Sequence, residues 1–293
     1  MLSILGGLIL GLLVGSFLNV VIYRLPIMMQ REWEQQCREL IANEGQPQYN
    51  PADQLKATKA FNLLTPRSRC SSCETPIAPW HNIPLLGWVI LRGKCHHCRA
   101  PISARYPLVE LATGLLSALV VWKFGVTPAA GVSLILMWSL ISLSLIDYDH
   151  QLLPDNINYF LLWSGLVLAL FYPISEGLPF ADLRSSVAGA LLGYLSLWSV
   201  YWLFKLITGK EGMGYGDFKL LAALGAWFGW EMLPLIIFLS AAVGAVTGIC
   251  MIIILGRDRQ LPIPFGPYLA GAGVVALLWG QDLTSMYFGY SNY

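Results

Sequence analysis

Between Ile4 and Trp279 the chain carries a series of long apolar runs, each nearly free of charge. An α-helix rises about 1.5 Å per residue and a bilayer's hydrocarbon core is about 30 Å thick, so roughly 17–25 apolar residues cross it. Inside lipid every backbone N–H and C=O must be paired within the protein, which forces such runs into helices. Eight runs fit: Ile4–Tyr23, Pro107–Phe124, Ala129–Ile146, Ile157–Tyr172, Ser186–Ile207, Phe218–Trp230, Leu233–Leu255 and Pro264–Trp279. The fold class expected is an all-α polytopic membrane protein with about eight transmembrane helices. The sixth run is short and holds Gly225 and Gly229, so it is expected to tilt or to reach partway. Only 12% of residues are charged, about half the usual share in soluble domains. The first run lacks a basic start and an A-x-A site, and "LVGSFLNVVIYRLP" continues through it, so it reads as a retained helix.

Lys and Arg set the orientation. Eleven lie between Arg24 and Arg105: Arg24, Arg31, Arg38, Lys56, Lys59, Arg67, Arg69, Arg92, Lys94, Arg99 and Arg105. With that segment cytoplasmic, eight spans bring Lys205, Lys210, Lys219, Arg257 and Arg259 to the same side, which makes sixteen of the eighteen. Lys123 and Arg184 fall outside. The multi-pass chain is then expected to have both termini facing away from the cytoplasm. Its cytoplasmic connections would include Asp147–Asn156, Thr208–Gly216 and Gly256–Ile263.

Three parts follow along the chain: a first transmembrane helix over 1–23, a cytoplasmic insert over 24–106 and a helical bundle over 107–293. Within the insert, Arg31–Ile41 reads as a short amphipathic helix and Ala42–Thr58 as a loop. No internal repeat stands out. Small-xxx-small spacings at Gly11/Gly15, Gly189/Gly193 and Gly244/Gly248 allow close helix approach. "CSSC" (Cys70–Cys73) and "CHHC" (Cys95–Cys98) stand 21 residues apart, a spacing that fits one tetrathiolate zinc. Four protein ligands would leave no open position, making the zinc structural. Disulfides and free thiols are the other readings, and a reducing cytoplasm disfavours the first. Cys37 and Cys250 have no sequence partner. The insert has no dense basic patch, so nucleic acid is not expected as a partner.

Carboxylates at membrane depth are costly and point to function. Asp147 follows directly on "LILMWSLISLSLI", while Asp149 reads as loop and Asp155 as a helix N-cap. Asp217 stands at the mouth of the sixth run behind "KEGMGYG", and could cap that helix. On the charge topology Asp147 and Asp217 both lie at cytoplasmic ends of spans, at one depth. If they share a site, the two hold one proton between them. Such a pair activates a water with its charged member and protonates a leaving amine with its neutral one. Gly214 and Gly216, poor in side chain, would let a substrate backbone approach. Glu110, at the start of the second span, reads as a surface or capping glutamate. Two other classes compete. Asp147 and Asp149 could hold Mg²⁺ for a lipid-diphosphate transferase, which wants a second acidic cluster. A transporter also places carboxylates at membrane depth, but would show polar residues at the centres of several spans.

"GYGD" (Gly214–Asp217) is a G-x-G-D motif like that of intramembrane aspartic proteases. With "IDYDHQLLPD" and the four cysteines, it resembles the bacterial type IV prepilin peptidases. "GLLVGSFLNVVIYRLP", "NIPLLGW", "RYPLVELATG" and "PIPFGPYLA" extend the likeness over nearly the whole chain. The resemblance implies an inner-membrane aspartic endopeptidase that cuts the basic leader from type IV prepilins and type II secretion pseudopilins at the cytoplasmic face. It further implies N-methylation of the new N-terminus with S-adenosylmethionine, associated with the cytoplasmic insert. By that likeness Asp147 and Asp217 are catalytic, Asp149 stands outside the dyad, and Cys70, Cys73, Cys95 and Cys98 bind zinc. A role for Glu110 in receiving the basic leader would follow only from the same likeness. No glycine-rich methyltransferase fingerprint is present, and the resemblance assigns no residues to the methyl donor.

Overall fold

A computed structural model describes residues 1–43, 61–171, 180–256 and 263–288. Among the described residues every expected apolar run is a helix, and the nearest thing to a strand is a pair of isolated bridges. In chain order the helices are α1 (Leu2–Asn43), α2 (Leu86–Ile90), α3 (Arg105–Phe124), α4 (Pro128–His150), α5 (Asp155–Phe171), α6 (Leu183–Thr208), α7 (Tyr215–Phe228), α8 (Leu233–Leu255) and α9 (Gly266–Phe288). Among the described residues five spans are long and apolar enough to cross a membrane: α1, α3, α4, α6 and the Trp230–Ile254 stretch that takes in α8. α5 has 17 residues and α7 has 14, a rise of about 21 Å for the latter, short of a full crossing. The expected loop over Ala42–Thr58 and the connection Gly256–Ile263 fall largely outside the described residues.

The chain forms two compact units, Met1–Leu119 and Val120–Tyr293. The division lies inside α3. In the first unit, the expected break between a membrane helix and an amphipathic helix is absent. α1 runs unbroken for 42 residues with Pro26 inside it. Gly11 and Gly15 press α1 on α3, where a Cβ would come within 2.5 Å of Ser117 Oγ and 2.8 Å of the Glu110 Cα. Arg24, 8% exposed, donates from Nη1 to the Asn62 carbonyl at 2.9 Å and from Nη2 to the Pro66 carbonyl at 2.6 Å. The approach to the cysteines is thus tied to the end of the apolar stretch of α1.

The second unit is built around α7. From Asp217 to Phe228 all but Lys219 are buried or nearly so. A helix apolar on every side belongs at the centre of a bundle. The backbones of α6 and α7 touch: a Cβ on Gly225 would lie 2.2 Å from the Gly189 carbonyl oxygen, and one on Gly193 2.7 Å from that of Leu221. Ser186 Oγ donates to the Ala226 carbonyl, and Trp227 Nε1 donates to the Leu161 carbonyl of α5 at 2.8 Å. On the other side Gly244 of α8 faces the Tyr268 ring of α9. All three small-residue spacings therefore serve close packing.

Candidate active site and metal centre

Helical period decides which acidic residue of "IDYDHQLLPD" turns inward. Leu136, Leu140, Leu143 and Asp147 fall three or four residues apart on α4, and the three leucines are fully buried. Asp147 continues that stripe and is 5% exposed, while Tyr148 and Asp149 turn outward. α4 ends with Gln151 in the left-handed region at φ 53°, its N–H bonded to the Asp147 carbonyl. The chain then reverses into α5. Asp155 does not act through a cap. Both its oxygens lie 2.7 Å from Lys219 Nζ, which also sits over the Tyr159 ring. The ion pair fastens the start of α5 to the first turns of α7.

Asp147 is fixed from a distant part of the sequence. Its Oδ2 accepts the Gly266 N–H at 2.9 Å. Gly266 is the first residue of α9, so this N–H is one of the donors a helix leaves unpaired, at the positive end of its dipole. A Cβ there would meet Asp147 Oδ2 at 2.6 Å, so the close approach requires glycine.

Asp217 has a matching arrangement. Gly214 is the N-cap of α7 and offers no side-chain cap. Asp217 stands at the third helical position, 7% exposed, and its carboxylate reaches back to the Gly214 backbone, as in half of a capping box. The capping reading of Asp217 is therefore partly met, yet its Oδ1 is buried without a hydrogen-bond partner. Asp147 lies within Coulombic reach of it. Leu153 completes the site, filling the room beside both Gly216 and Gly266. The space that Gly216 leaves is thus occupied by this chain's own leucine, whereas a Cβ on Gly214 would meet nothing closer than Asp217 Oδ2 at 3.7 Å. Asn158, fully buried on α5 with neither side-chain polar atom partnered, is a polar residue the sequence reading missed. Its single amide inside an amphipathic start to α5 gave no signal.

The four cysteines converge. Their sulfurs all lie within 4.8 Å of one another, and Cys70 and Cys98 are 3.7 Å apart. Tetrahedral thiolates around zinc stand about 3.8 Å apart, so the set fits that ion. Each pair is a knuckle, and the two are built alike. Cys70 N–H bonds Thr75 and Glu74 N–H bonds Cys70; Cys95 N–H bonds Ala100 and Arg99 N–H bonds Cys95. Glu74 and Arg99 both have positive φ, at 56° and 61°. Bridges pair Arg69 with Pro76 and Lys94 with Pro101. This corrects the reading of the chain as free of repeats: "RCSSCETPI" and "KCHHCRAPI" are two copies of one turn. Backbone N–H groups of Cys73 and Ser72 hold the Cys70 thiol below its usual range, and those of Cys98 and His97 do so for Cys95. Among the described residues this is the one cluster of three or more His, Cys, Asp and Glu side chains placed to hold an ion. Among the described residues no second acidic cluster stands with Asp147 and Asp149 in a group placed to hold an ion, as a lipid-diphosphate site would want. Glu110 is taken up too: its Oε2 accepts the Leu85 N–H at 2.8 Å, capping α2.

Residues 9–124 match a family profile described as the bacterial peptidase A24 N-terminal domain, and residues 134–249 match the type IV leader peptidase family. A prepilin leader peptidase/N-methyltransferase of Stutzerimonas stutzeri is 57% identical over 289 residues, covering 99% of this chain and 95% of the relative. One from Pseudomonas aeruginosa is 54% identical over 98% of this chain and 93% of its own length. One from Aeromonas hydrophila is 51% identical over 94% and 91%. No solved structure matches.

Proposed function

The chain belongs to the type IV leader peptidase family, and from that premise we propose that it removes the basic leader of prepilins and methylates the amine so freed. The observation that carries the peptidase reading is the buried pair Asp147 and Asp217, each held by a glycine backbone at a helix start. An N–H donor needs a lone pair, so the proton that the pair shares is kept off Asp147 Oδ2. Asp217 Oδ1, with no donor upon it, is the position open to that proton. Asp147 then takes a proton from water as the water oxygen adds to the scissile carbonyl. Asp217 gives its proton to the departing amine as the C–N bond breaks, leaving a carboxylic acid and a new N-terminus.

A prepilin carries an apolar helix behind a charged leader. With the insert on the cytoplasmic side and both termini periplasmic, the scissile bond meets the carboxylates at the cytoplasmic face of the inner membrane. Gly214 is the approach for substrate backbone, since among the described residues the nearest group to its open side is Asp217 Oδ2 at 3.7 Å. Pseudopilin precursors of type II secretion have the same chemistry and are further substrates. S-adenosylmethionine supplies the methyl group, transferring it from sulfur to the amine nitrogen. Cys70, Cys73, Cys95 and Cys98 hold a structural zinc that shapes the insert over 24–106, and the peptidase bundle occupies 107–293.

Incubating the purified protein with a prepilin, with and without S-adenosylmethionine, and weighing the products tests both activities. Loss of the leader supports the peptidase and an added methyl the transferase. An intact prepilin after incubation would refute the first. Inhibition of cleavage by a chelator, reversed by Mg²⁺, would favour the lipid-diphosphate type of site over the dyad.

A further inference from the structure

In the first unit an apolar face stands on the surface of the cysteine insert. Trp80, Ile83, Leu86, Val89 and Ile90 are 65, 45, 57, 62 and 67% exposed. The opposite side of α2 is packed. Gly87 rests against the His81 carbonyl, Trp88 covers Gly93, and Trp88 Nε1 donates to the Ile102 carbonyl at 3.1 Å. The face of Leu86, Val89 and Ile90 is therefore turned outward by construction.

Its depth follows from two membrane helices of the same unit. Glu110 is one turn and a half inside α3 and accepts the Leu85 N–H, so the start of α2 is fastened at that level. On α1 the residue against Glu110 is Gly15. Leu13 and Phe17, the exposed apolar residues on either side of Gly15, face outward at 57 and 47%. Arg24, the first charge of α1, lies nine residues further on, about 13 Å along the helix. The start of α2 thus sits on the membrane side of Arg24, at the height where α1 shows leucine and phenylalanine to its surroundings.

We propose that the segment from Trp80 to Ile90 dips into the leaflet that α1 and α3 enter, with Leu86, Val89 and Ile90 against lipid acyl chains. Trp80 and Arg92 suit the headgroup region, where indole rings and long cationic side chains settle. The backbone of a segment at this depth must be satisfied by protein, and the Glu110 carboxylate does so for Leu85. The insert is then a domain seated in the membrane surface rather than one hanging free in solution. This reading needs α1 and α3 to cross the bilayer and is independent of the peptidase assignment.

The test uses the full chain in lipid nanodiscs of phosphatidylethanolamine and phosphatidylglycerol. p-Benzoylphenylalanine is placed singly at Leu86, Val89, Ile90 and, as a control, at the exposed Ser71 of the first knuckle. After irradiation, intact-mass measurement counts lipid adducts. Adducts at Val89 and Ile90 severalfold above those at Ser71 are expected. Equal yields at all positions, cross-links to a second copy, or no lipid adduct at either residue would overturn the proposal. Three separate positions keep it testable if one variant fails to fold.

Discussion

Gly266→Ala is the sharpest probe of the dyad, because it adds one methyl group and touches neither aspartate's chemistry. The Cβ would stand 2.6 Å from Asp147 Oδ2 and 3.0 Å from its Cγ, where ordinary contacts begin near 3.4 Å. The carboxylate or the start of α9 must yield by about 0.8 Å, the difference of those two distances. A displacement of about 1 Å in a catalytic group can cost on the order of 100-fold in rate. That corresponds to about 2.7 kcal/mol of transition-state stabilisation. A displaced carboxylate acts on the chemical step, so kcat should fall by about two orders of magnitude with KM nearly unchanged. The assay is cleavage of a purified prepilin over a range of concentrations, with thermal unfolding run in parallel. Gly271→Ala lies on the same helix with nothing within 4 Å of the added carbon and should behave as wild type. A Gly266→Ala enzyme within a few-fold of wild-type kcat would refute the claim that this glycine sets the position of Asp147. Equal losses in both variants would trace the effect to α9 as a whole.

Other expectations follow from the same geometry. Asp147→Asn and Asp217→Asn should each abolish leader cleavage with the protein still inserted and folded; substantial activity in either, by product mass, would dismiss the dyad. Elemental analysis should find one zinc per chain, lost in Cys70→Ser/Cys73→Ser, and a metal-free wild type would remove the thiolate site. Gly225→Ala drives a Cβ to 2.2 Å from the Gly189 carbonyl, with no flexible side chain to move aside, and should lower stability by about 1–3 kcal/mol in thermal unfolding. Lys219→Met removes a partly exposed ion pair with Asp155 and should cost only about 1 kcal/mol or less in the same assay. A large loss there would show that the pair carries more of the α5–α7 contact than its exposure suggests.

What could be read from the sequence was set by what is periodic or locally spaced. Runs of apolar residues gave helices because lipid leaves the backbone no alternative. C-x-x-C spacing gave the cysteine cluster because a knuckle is a local turn. The inward turn of Asp147 was likewise present in the register of Leu136, Leu140 and Leu143. The role of Gly266 was not, since its contact with Asp147 spans 119 residues and appears only when α9 packs beside α4. Asp155 misled for the opposite reason. "PDN" before an apolar run is a sound capping signal, but Lys219, 64 residues on, takes both oxygens. The unbroken α1 also escaped, because the apolar run ends at Tyr23 while the helix continues through Pro26 to Asn43.

The two carboxylates share a construction that explains why so much glycine surrounds them. Each sits where a helix begins: Asp217 in the first turn of α7, Asp147 against the first residue of α9. A helix start offers unpaired N–H groups and a positive dipole end, which steady a carboxylate without a neighbouring cation. A lysine or arginine placed there would hold both aspartates ionised, against the shared proton on which the proposed hydrolysis depends. Lys219, two residues after Asp217, instead matches its charge with a separate carboxylate, that of Asp155. Backbone amides reach a side chain closely only where no Cβ intervenes, and Gly266 meets that demand at 2.9 Å. The glycines of "GMGYGD" and "PFGP" are thus parts of one device, and Leu153 packs against Gly216 and Gly266 alike, locking the two together.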